Sequence, residues 1–283
     1  MKRPARILLS VILAAVFSFS SALAAPSPTP TPPPIEITNT VAEPPEIIRK
    51  VIDIAMNEWS TLNGKTLPQC NKYTEWRGKG VKFGWCGGFV TWCMLEAGVP
   101  MERLETLKQN GEGPVPGIMH VKEASVGKLL RGYQVIHRTT MMPQKGYLLV
   151  YGVRKSANRT VHIGLVVDVV PLGGSRFRIT TIEGNLANRV KMYIHDYDMN
   201  AEDPTNNLSV VPAEERDREE SAAFGWKMQD DRWYVNRFLM PWIPDDDASQ
   251  SDESSSQADS AGARSYILPD ESDALPPESD ASV

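Results

Sequence analysis

The sequence predicts an α+β fold in which N-terminal helices pack on an antiparallel β-sheet. Apolar residues recur at helical spacing in segments between residues 43 and 132, and from residue 147 onward they alternate with a period of two. Glycine, proline or asparagine separates the alternating segments. Because the helical segments precede the strands and do not alternate with them, the order indicates an α+β domain.

The first helix is predicted to begin at Pro44 and Pro45 and to end at Gly64. Proline is favoured in the first turn of a helix. One apolar stripe follows at helical spacing, formed by Ile48, Val51, Ile52, Ala55 and Trp59. Residues 65–82 contain proline, glycine and asparagine among scattered aromatic residues, so we expect mostly loop there.

The next helix is predicted over residues 86–97 and carries Cys86 in its first turn. Gly98 suits a helix C-terminus and Pro100 prevents continuation. Unpaired backbone N–H groups and the positive end of the helix dipole favour a thiolate in the first turn. Cys86 is therefore the candidate nucleophile. The alternative is a buried structural cysteine, the commoner state of free cysteines.

Gly87 and Gly88 follow this cysteine and favour the functional interpretation. Two glycines lower the helix propensity of a first turn by about 1 kcal/mol each relative to alanine. We expect them to clear space for a substrate carbonyl to approach the sulfur.

The remaining elements are a short helix over residues 119–132 and a series of strands. Strands are expected over residues 147–153, 161–170, 176–183, 190–194 and 233–242. Residues 200–221 are polar and charged, and we expect an insertion or a long loop there.

The two ends of the chain predict an exported protein with unfolded appendages. Residues 1–24 combine a basic start, an apolar run and a small-residue cleavage site, which is typical of a signal peptide; an uncleaved membrane anchor is the second interpretation. Residues 25–42 contain a Pro-rich linker, residues 43–244 the folded domain, and residues 245–283 an acidic tail too polar to fold. We therefore expect an extracytoplasmic protein, secreted or associated with the cell wall, without stable membrane insertion after cleavage.

Charge and cysteine content exclude some classes of protein. The formal net charge is −5, and the tail alone carries eleven acidic residues against one arginine, so the rest is only weakly basic and gives no sign of nucleic-acid binding.

Three cysteines are too few for a disulfide scaffold, and an odd count leaves at least one thiol free. Cys86 and Cys93 lie about 10 Å apart along a helix, which is too far for a bridge. If a disulfide exists, Cys70 with Cys93 leaves Cys86 free.

A nucleophilic cysteine needs a base, and His162 is the candidate because it begins the most apolar strand of the chain. If residues 171–174 form a four-residue hairpin loop, His162 lies directly opposite Glu183 on the next strand. That carboxylate shares a face with apolar side chains, which is costly unless it is paired. The alternatives are a structural histidine bonded to the backbone and a solvent-facing glutamate at a strand end.

Three motifs, in order, resemble those of the cysteine- and histidine-dependent amidohydrolase/peptidase (CHAP) family. They are Trp85–Trp92 around the cysteine, His162–Val166 on the histidine strand and Thr181–Asn185 on the acidic strand; Gly146–Tyr151 also resembles the strand before the histidine. The resemblance spans residues 47–197, about half of the chain. The family usually has aspartate where Tyr147 stands, and the calcium loop of some members and a separate wall-binding repeat are not visible.

The resemblance implies a papain-like fold with Cys86 as nucleophile, His162 as base, Glu183 as the group that orients the base and Asn185 as an auxiliary polar group. It implies an enzyme that hydrolyses an amide bond in peptidoglycan, either an N-acetylmuramoyl-L-alanine amidase or an endopeptidase. We expect a monomer that needs no cofactor or metal and binds peptidoglycan or muropeptides. The alternatives are a catalytically silent wall- or peptide-binding module, a secreted cysteine peptidase that acts on proteins, and a protein in which the cysteine helix is only structural.

Overall fold

The computed structural model describes residues 40–153, 156–211 and 233–244. The predicted signal peptide, most of the predicted linker and the acidic tail lie outside these residues. The described part mixes helices with an antiparallel sheet, so the predicted α+β class is confirmed. Among the described residues, no helix is long and apolar enough to cross a membrane.

The helices of the described residues lie in the first half of the chain. They are α1 (Glu46–Leu62), α2 (Lys72–Glu75), α3 (Cys86–Ala97), α4 (Leu104–Gln109) and α5 (Val126–Val135). The bounds of α3 agree with the prediction, and Gly98 ends it in the left-handed conformation with φ of 78°. The short helices α2 and α4 were not predicted, and α5 begins later than expected because residues 120 and 121 pair as a strand.

The strands form one large antiparallel sheet and one small parallel pair. They are β1 (Met101–Glu102), β2 (His120–Val121), β3 (Thr139–Thr140), β4 (Leu148–Val153), β5 (Ser156–Gly173), β6 (Arg176–Glu183), β7 (Lys191–Asp198), β8 (Leu208–Val210) and β9 (Trp233–Leu239). The pair is β1–β2, and the sheet has the order β3-β9-β4-β5-β6-β7-β8. The described part of the segment in which we expected an insertion or a long loop, residues 200–211, is not loop throughout, because it contains a 3-10 turn (Pro204–Asn206) and β8.

Alternate residues of each central strand face two different apolar cores. Ile163 and Leu165 of β5 belong to the core shared with the helices, in which α3 packs between α1 and the sheet. Val166 and Val169 belong to a second core on the inner face of the sheet, together with Leu149 and Tyr151 of β4. The sheet curls around this second core: the Asn207 side chain exchanges two hydrogen bonds of 2.9 Å with the backbone of Val235 on β9.

The hairpin between β5 and β6 differs from the prediction. Gly173 pairs with Arg176, so the turn contains two residues and not four. Gly173 and Gly174 have φ of 93° and 59°, a conformation that glycine adopts without steric cost. Two extra residues on β5, Val167 and Leu172, bulge out of the ladder and shift its register twice.

The predicted pairing of His162 directly opposite Glu183 is therefore wrong. Leu165 pairs with Ile182, so that Gly164 faces Glu183 and His162 lies one diagonal step away. A register shift of one residue exchanges the faces of a strand, and a second shift restores them. His162 and Glu183 consequently remain on the same face, the inner face of the sheet.

Candidate active site

Cys86 is the first residue of α3, and its side chain is almost completely buried, with 8% of the residue exposed. The residue before the helix, Trp85, provides no side-chain cap. Backbone N–H groups of the first turn have no partner within the helix, so the sulfur lies next to free donors and the positive end of the helix dipole.

The two glycines after Cys86 have a different role from the predicted one. A Cβ at Gly87 would stand 2.1 Å from the carbonyl oxygen of Ala124, and a Cβ at Gly88 would stand 2.6 Å from that of Tyr73. Both positions are filled by neighbouring backbone, so the expectation that they clear space for a substrate is wrong. They let two chain segments pack directly against the first turn of α3.

A third glycine brings the end of β6 against the same turn. A Cβ at Gly184 would stand 2.5 Å from the Cβ of Phe89 and 2.9 Å from the ring of Trp85. Only a residue without a side chain permits this approach, and it immediately follows Glu183. The strand that carries the carboxylate therefore ends next to the helix that carries the thiol.

His162 links the thiol and the carboxylate. Its Nε2 atom lies 2.9 Å from Oε2 of Glu183, and the ring is buried. The N–H direction is not aligned for a good hydrogen bond to the carboxylate, so this contact acts mainly as an ion pair. Cys86 lies near His162 and raises the pKa of its ring.

The charges of this buried pair stabilise each other. Burial alone would lower the pKa of His162, but the interactions with Cys86 and Glu183 outweigh burial and raise that pKa from 6.5 to about 10. Burial would raise the pKa of Glu183, but its hydrogen bonding and attraction to His162 outweigh burial and lower the pKa below its usual value. The site therefore favours an imidazolium beside a carboxylate at neutral pH.

The second oxygen of Glu183 accepts two hydroxyl groups. Tyr151 donates to Oε1 at 2.5 Å and Thr181 donates to the same atom at 2.6 Å. Gly164 provides the space for this side chain, since a Cβ there would stand 2.7 Å from Cγ of Glu183. All of these side chains are buried, so the orientation of the carboxylate is strongly constrained.

Asn185 lies at the border of the site. Its backbone has φ of 63°, a left-handed conformation that asparagine tolerates better than most residues. Its amide nitrogen lies beside Gly84, 3.6 Å from the place that a Cβ would take there. Asn185 therefore borders the segment that leads into Cys86.

The other cysteines do not compete with Cys86. All three cysteines are free, so the conditional Cys70–Cys93 bridge is not formed. Cys93 is fully buried in the helix-side core, where burial raises the pKa of its thiol well above the ordinary value. A buried neutral thiol of this kind packs as an apolar group.

The surroundings of His162 are aromatic. The ring centroid of Trp233 lies 5.4 Å from that of His162, and the ring of Tyr151 lies 5.8 Å from it. A surface cavity of about 800 Å³ lies elsewhere, against α1, and is lined in part by Pro44 and Lys145. Among the described residues, no group of three or more His, Cys, Asp or Glu side chains is arranged to hold a metal ion.

The structure thus brings together three of the four predicted site residues, Cys86, His162 and Glu183, and places Asn185 at the border. Sequence reasoning did not identify Thr181 and Tyr151. The signal for Thr181 was present, because it lies two residues before Glu183 on one strand and therefore on the same face. Tyr151 pairs with His162 across β4 and β5, and only the register of these strands reveals it.

Comparisons with protein-family models, with curated proteins and with solved structures found no match to this chain.

Proposed function

We propose that this protein is an exported cysteine hydrolase of papain-like architecture that cleaves an amide bond in peptidoglycan. One observation carries the proposal: a cysteine at the start of a helix lies near a buried histidine, which is ion-paired with a buried carboxylate. Three separate elements supply these residues. Covalent catalysis by cysteine requires a nucleophile next to a base, and a third group that orients the base.

Cys86 is the nucleophile in this proposal. His162 holds the proton of the thiol, so that the sulfur attacks as a thiolate, and Glu183 stabilises the resulting imidazolium. An uncompensated buried imidazolium would be costly, and the contact of 2.9 Å with the carboxylate offsets this cost. The ion pair with Glu183 also holds the His162 ring near Cys86.

The reaction proceeds in two steps. The Cys86 sulfur bonds to the carbonyl carbon of the amide, and the C–N bond breaks as the leaving amine takes the proton of His162. A water molecule then gives a proton to His162 and attacks the thioester, which breaks the C–S bond and restores the thiolate. The products are a carboxylic acid and an amine.

The start of α3 stabilises the charge that develops on the carbonyl oxygen. The backbone N–H of Cys86 and its neighbours in the first turn point away from the helix and have no intrahelical acceptor. Donors held rigidly in a site that excludes water stabilise an oxyanion more than water does. The close packing at Gly87 and Gly88 keeps this turn in place.

The choice of peptidoglycan as the substrate rests on the resemblance of the three motifs to the CHAP family. The bond is either the one between muramic acid and L-alanine or one between two amino acids of the stem or cross-bridge. Asn185 contributes an auxiliary polar group beside the nucleophile.

Mass spectrometry of the products from purified peptidoglycan tests this function and identifies the bond. Release of stem peptides with a free L-alanine amino group indicates an amidase, and cut stems or bridges indicate an endopeptidase. Casein incubated in parallel distinguishes a general peptidase. If the folded protein cleaves casein and leaves peptidoglycan intact, the proposed substrate is wrong; if it cleaves neither, the proposed hydrolase is wrong.

A further inference from the structure

We propose that Tyr151 and His195 are positioning residues for Glu183, which keep its carboxylate ionised and hold one of its oxygens towards the catalytic histidine. This inference rests on the proposed function, since it assigns roles within the same site. Tyr151 lies on β4 and His195 on β7, so that strands on both sides of β5 and β6 converge on one carboxylate.

The two oxygens of Glu183 have separate roles. Oε2 faces Nε2 of His162 at 2.9 Å, and Oε1 accepts hydroxyl groups from Tyr151 at 2.5 Å and Thr181 at 2.6 Å. If the carboxylate rotated, it would lose both hydroxyl donors in a buried place where water cannot replace them. The hydroxyl groups therefore determine which oxygen meets the histidine.

His195 determines the direction in which the Tyr151 hydroxyl donates. Nε2 of His195 lies 3.2 Å from the Tyr151 oxygen, whereas its Nδ1 is buried and has no hydrogen-bond partner among the described residues. A proton on Nδ1 would leave a buried N–H unpaired, which is costly. The proton therefore sits on Nε2 and is donated to Tyr151, whose own proton is left for Glu183.

Burial keeps His195 neutral, so it donates a hydrogen bond to Tyr151 without adding a charge near Glu183. Burial lowers the pKa of His195 despite the nearby charges of Glu183 and Asp196. The groups that face Glu183 are His162 from β5, Tyr151 from β4, and Tyr193 and His195 from β7. Only His162 among them is charged at neutral pH, so the carboxylate has one counter-ion and otherwise neutral donors.

The direct test is the titration of the Glu183 carboxyl carbon by NMR in the ¹³C-glutamate-labelled protein. A hydrogen bond donated to the charged form of an acid lowers its pKa, so Tyr151→Phe raises the pKa of Glu183 by about one to two pH units. Tyr197→Phe is the matched control. Its hydroxyl is also in the inner core but donates to the carbonyl of Met141 at 2.9 Å, so its loss leaves Glu183 unchanged.

A second pair of variants tests His195 and remains informative if Tyr151→Phe does not fold. His195→Leu removes the N–H that polarises Tyr151, and we expect a smaller shift of the Glu183 titration in the same direction. His195→Gln offers an amide N–H in place of Nε2 and restores the titration. A His195→Leu protein with a wild-type Glu183 titration contradicts the role of His195.

Activity measurements separate this inference from the proposed function. With peptidoglycan fragments, Tyr151→Phe lowers kcat about ten- to a hundredfold at little change in KM, and the acid limb of its pH profile moves towards neutral pH. If the wild-type protein has no activity, the proposed function fails, and the NMR titration still decides the positioning role. If Tyr151→Phe folds and the Glu183 titration equals that of the wild type, the positioning role is wrong.

Discussion

Replacing Glu183 with glutamine removes one charge from the site and little volume. The attraction between His162 and Glu183 at 2.9 Å amounts to about 6 kcal/mol at an effective dielectric constant of about 20, which corresponds to about 4 pH units. The pKa of His162 then falls from about 10 to about 6. At pH 7.5 only about 3% of the ring stays protonated, so kcat/KM falls at least about thirtyfold.

The assay is the pH profile of kcat/KM on soluble muropeptides, with the His162 ring followed by NMR over the same range. We expect the alkaline limb of Glu183→Gln to move to lower pH. Glu58→Gln is the matched control, because this buried carboxylate also accepts a tyrosine hydroxyl at 2.5 Å and lies 2.7 Å from Lys72 but does not touch the site. An unchanged titration of His162 in Glu183→Gln would refute the reasoning.

Three further predictions concern packing, pH and thiol access. Gly87→Ala drives a Cβ into a backbone carbonyl and lowers the free energy of unfolding, measured in urea titrations, by about 1–3 kcal/mol or more. Gly127 is exposed in α5, so Gly127→Ala leaves the free energy of unfolding unchanged or raises it. Equal effects of the two substitutions would contradict the packing role of Gly87. Because folding raises the pKa of His162, protonated His162 stabilises the fold fully below about pH 6.5, and this stabilisation is lost as pH rises through about 10. The free energy of unfolding of the wild type therefore falls more steeply over this range than that of His162→Gln. Parallel curves for the two proteins would contradict the ion pair. Iodoacetamide labels Cys86 in the native protein and spares the fully buried Cys93, and labelling of Cys93 before unfolding would contradict its burial.

The sequence was sufficient for the elements that carry the site. The spacing of apolar residues and the terminal glycine identified α3, and alternation identified β6 with the bounds that the structure has. These elements follow local rules: helix capping and strand periodicity depend on neighbours in the chain. The other predicted strands have ends that differ from the structure by up to five residues, and the short strands β1, β2, β3 and β8 were not predicted.

The register of the hairpin was not available from the same rules. A turn of two residues and bulges at Val167 and Leu172 replaced the simple four-residue loop, because consecutive glycines at the end of β5 permit a tighter turn. His162 and Glu183 remain on one face because each bulge shifts the register by one residue and the second shift restores the faces that the first exchanged. The prediction of a shared face was therefore correct for a reason that the sequence did not show.

The close contacts of glycine were also beyond sequence reasoning. Gly87 and Gly88 looked like space for a substrate, but each faces a backbone carbonyl of a distant segment. Tyr151 and His195 were missed because their roles depend on which strands are neighbours in the sheet. Contacts between residues far apart in the chain follow from topology, which local patterns do not determine.

The central claim is that Cys86 is the nucleophile, and the rate of peptidoglycan digestion by Cys86→Ala tests it most directly. The control is Cys70→Ala, which removes a free thiol that is partly exposed. We predict that the Cys86 variant folds and has no measurable activity, and that the Cys70 variant digests peptidoglycan at the wild-type rate. Digestion by folded Cys86→Ala at a rate near that of the wild type would contradict the claim.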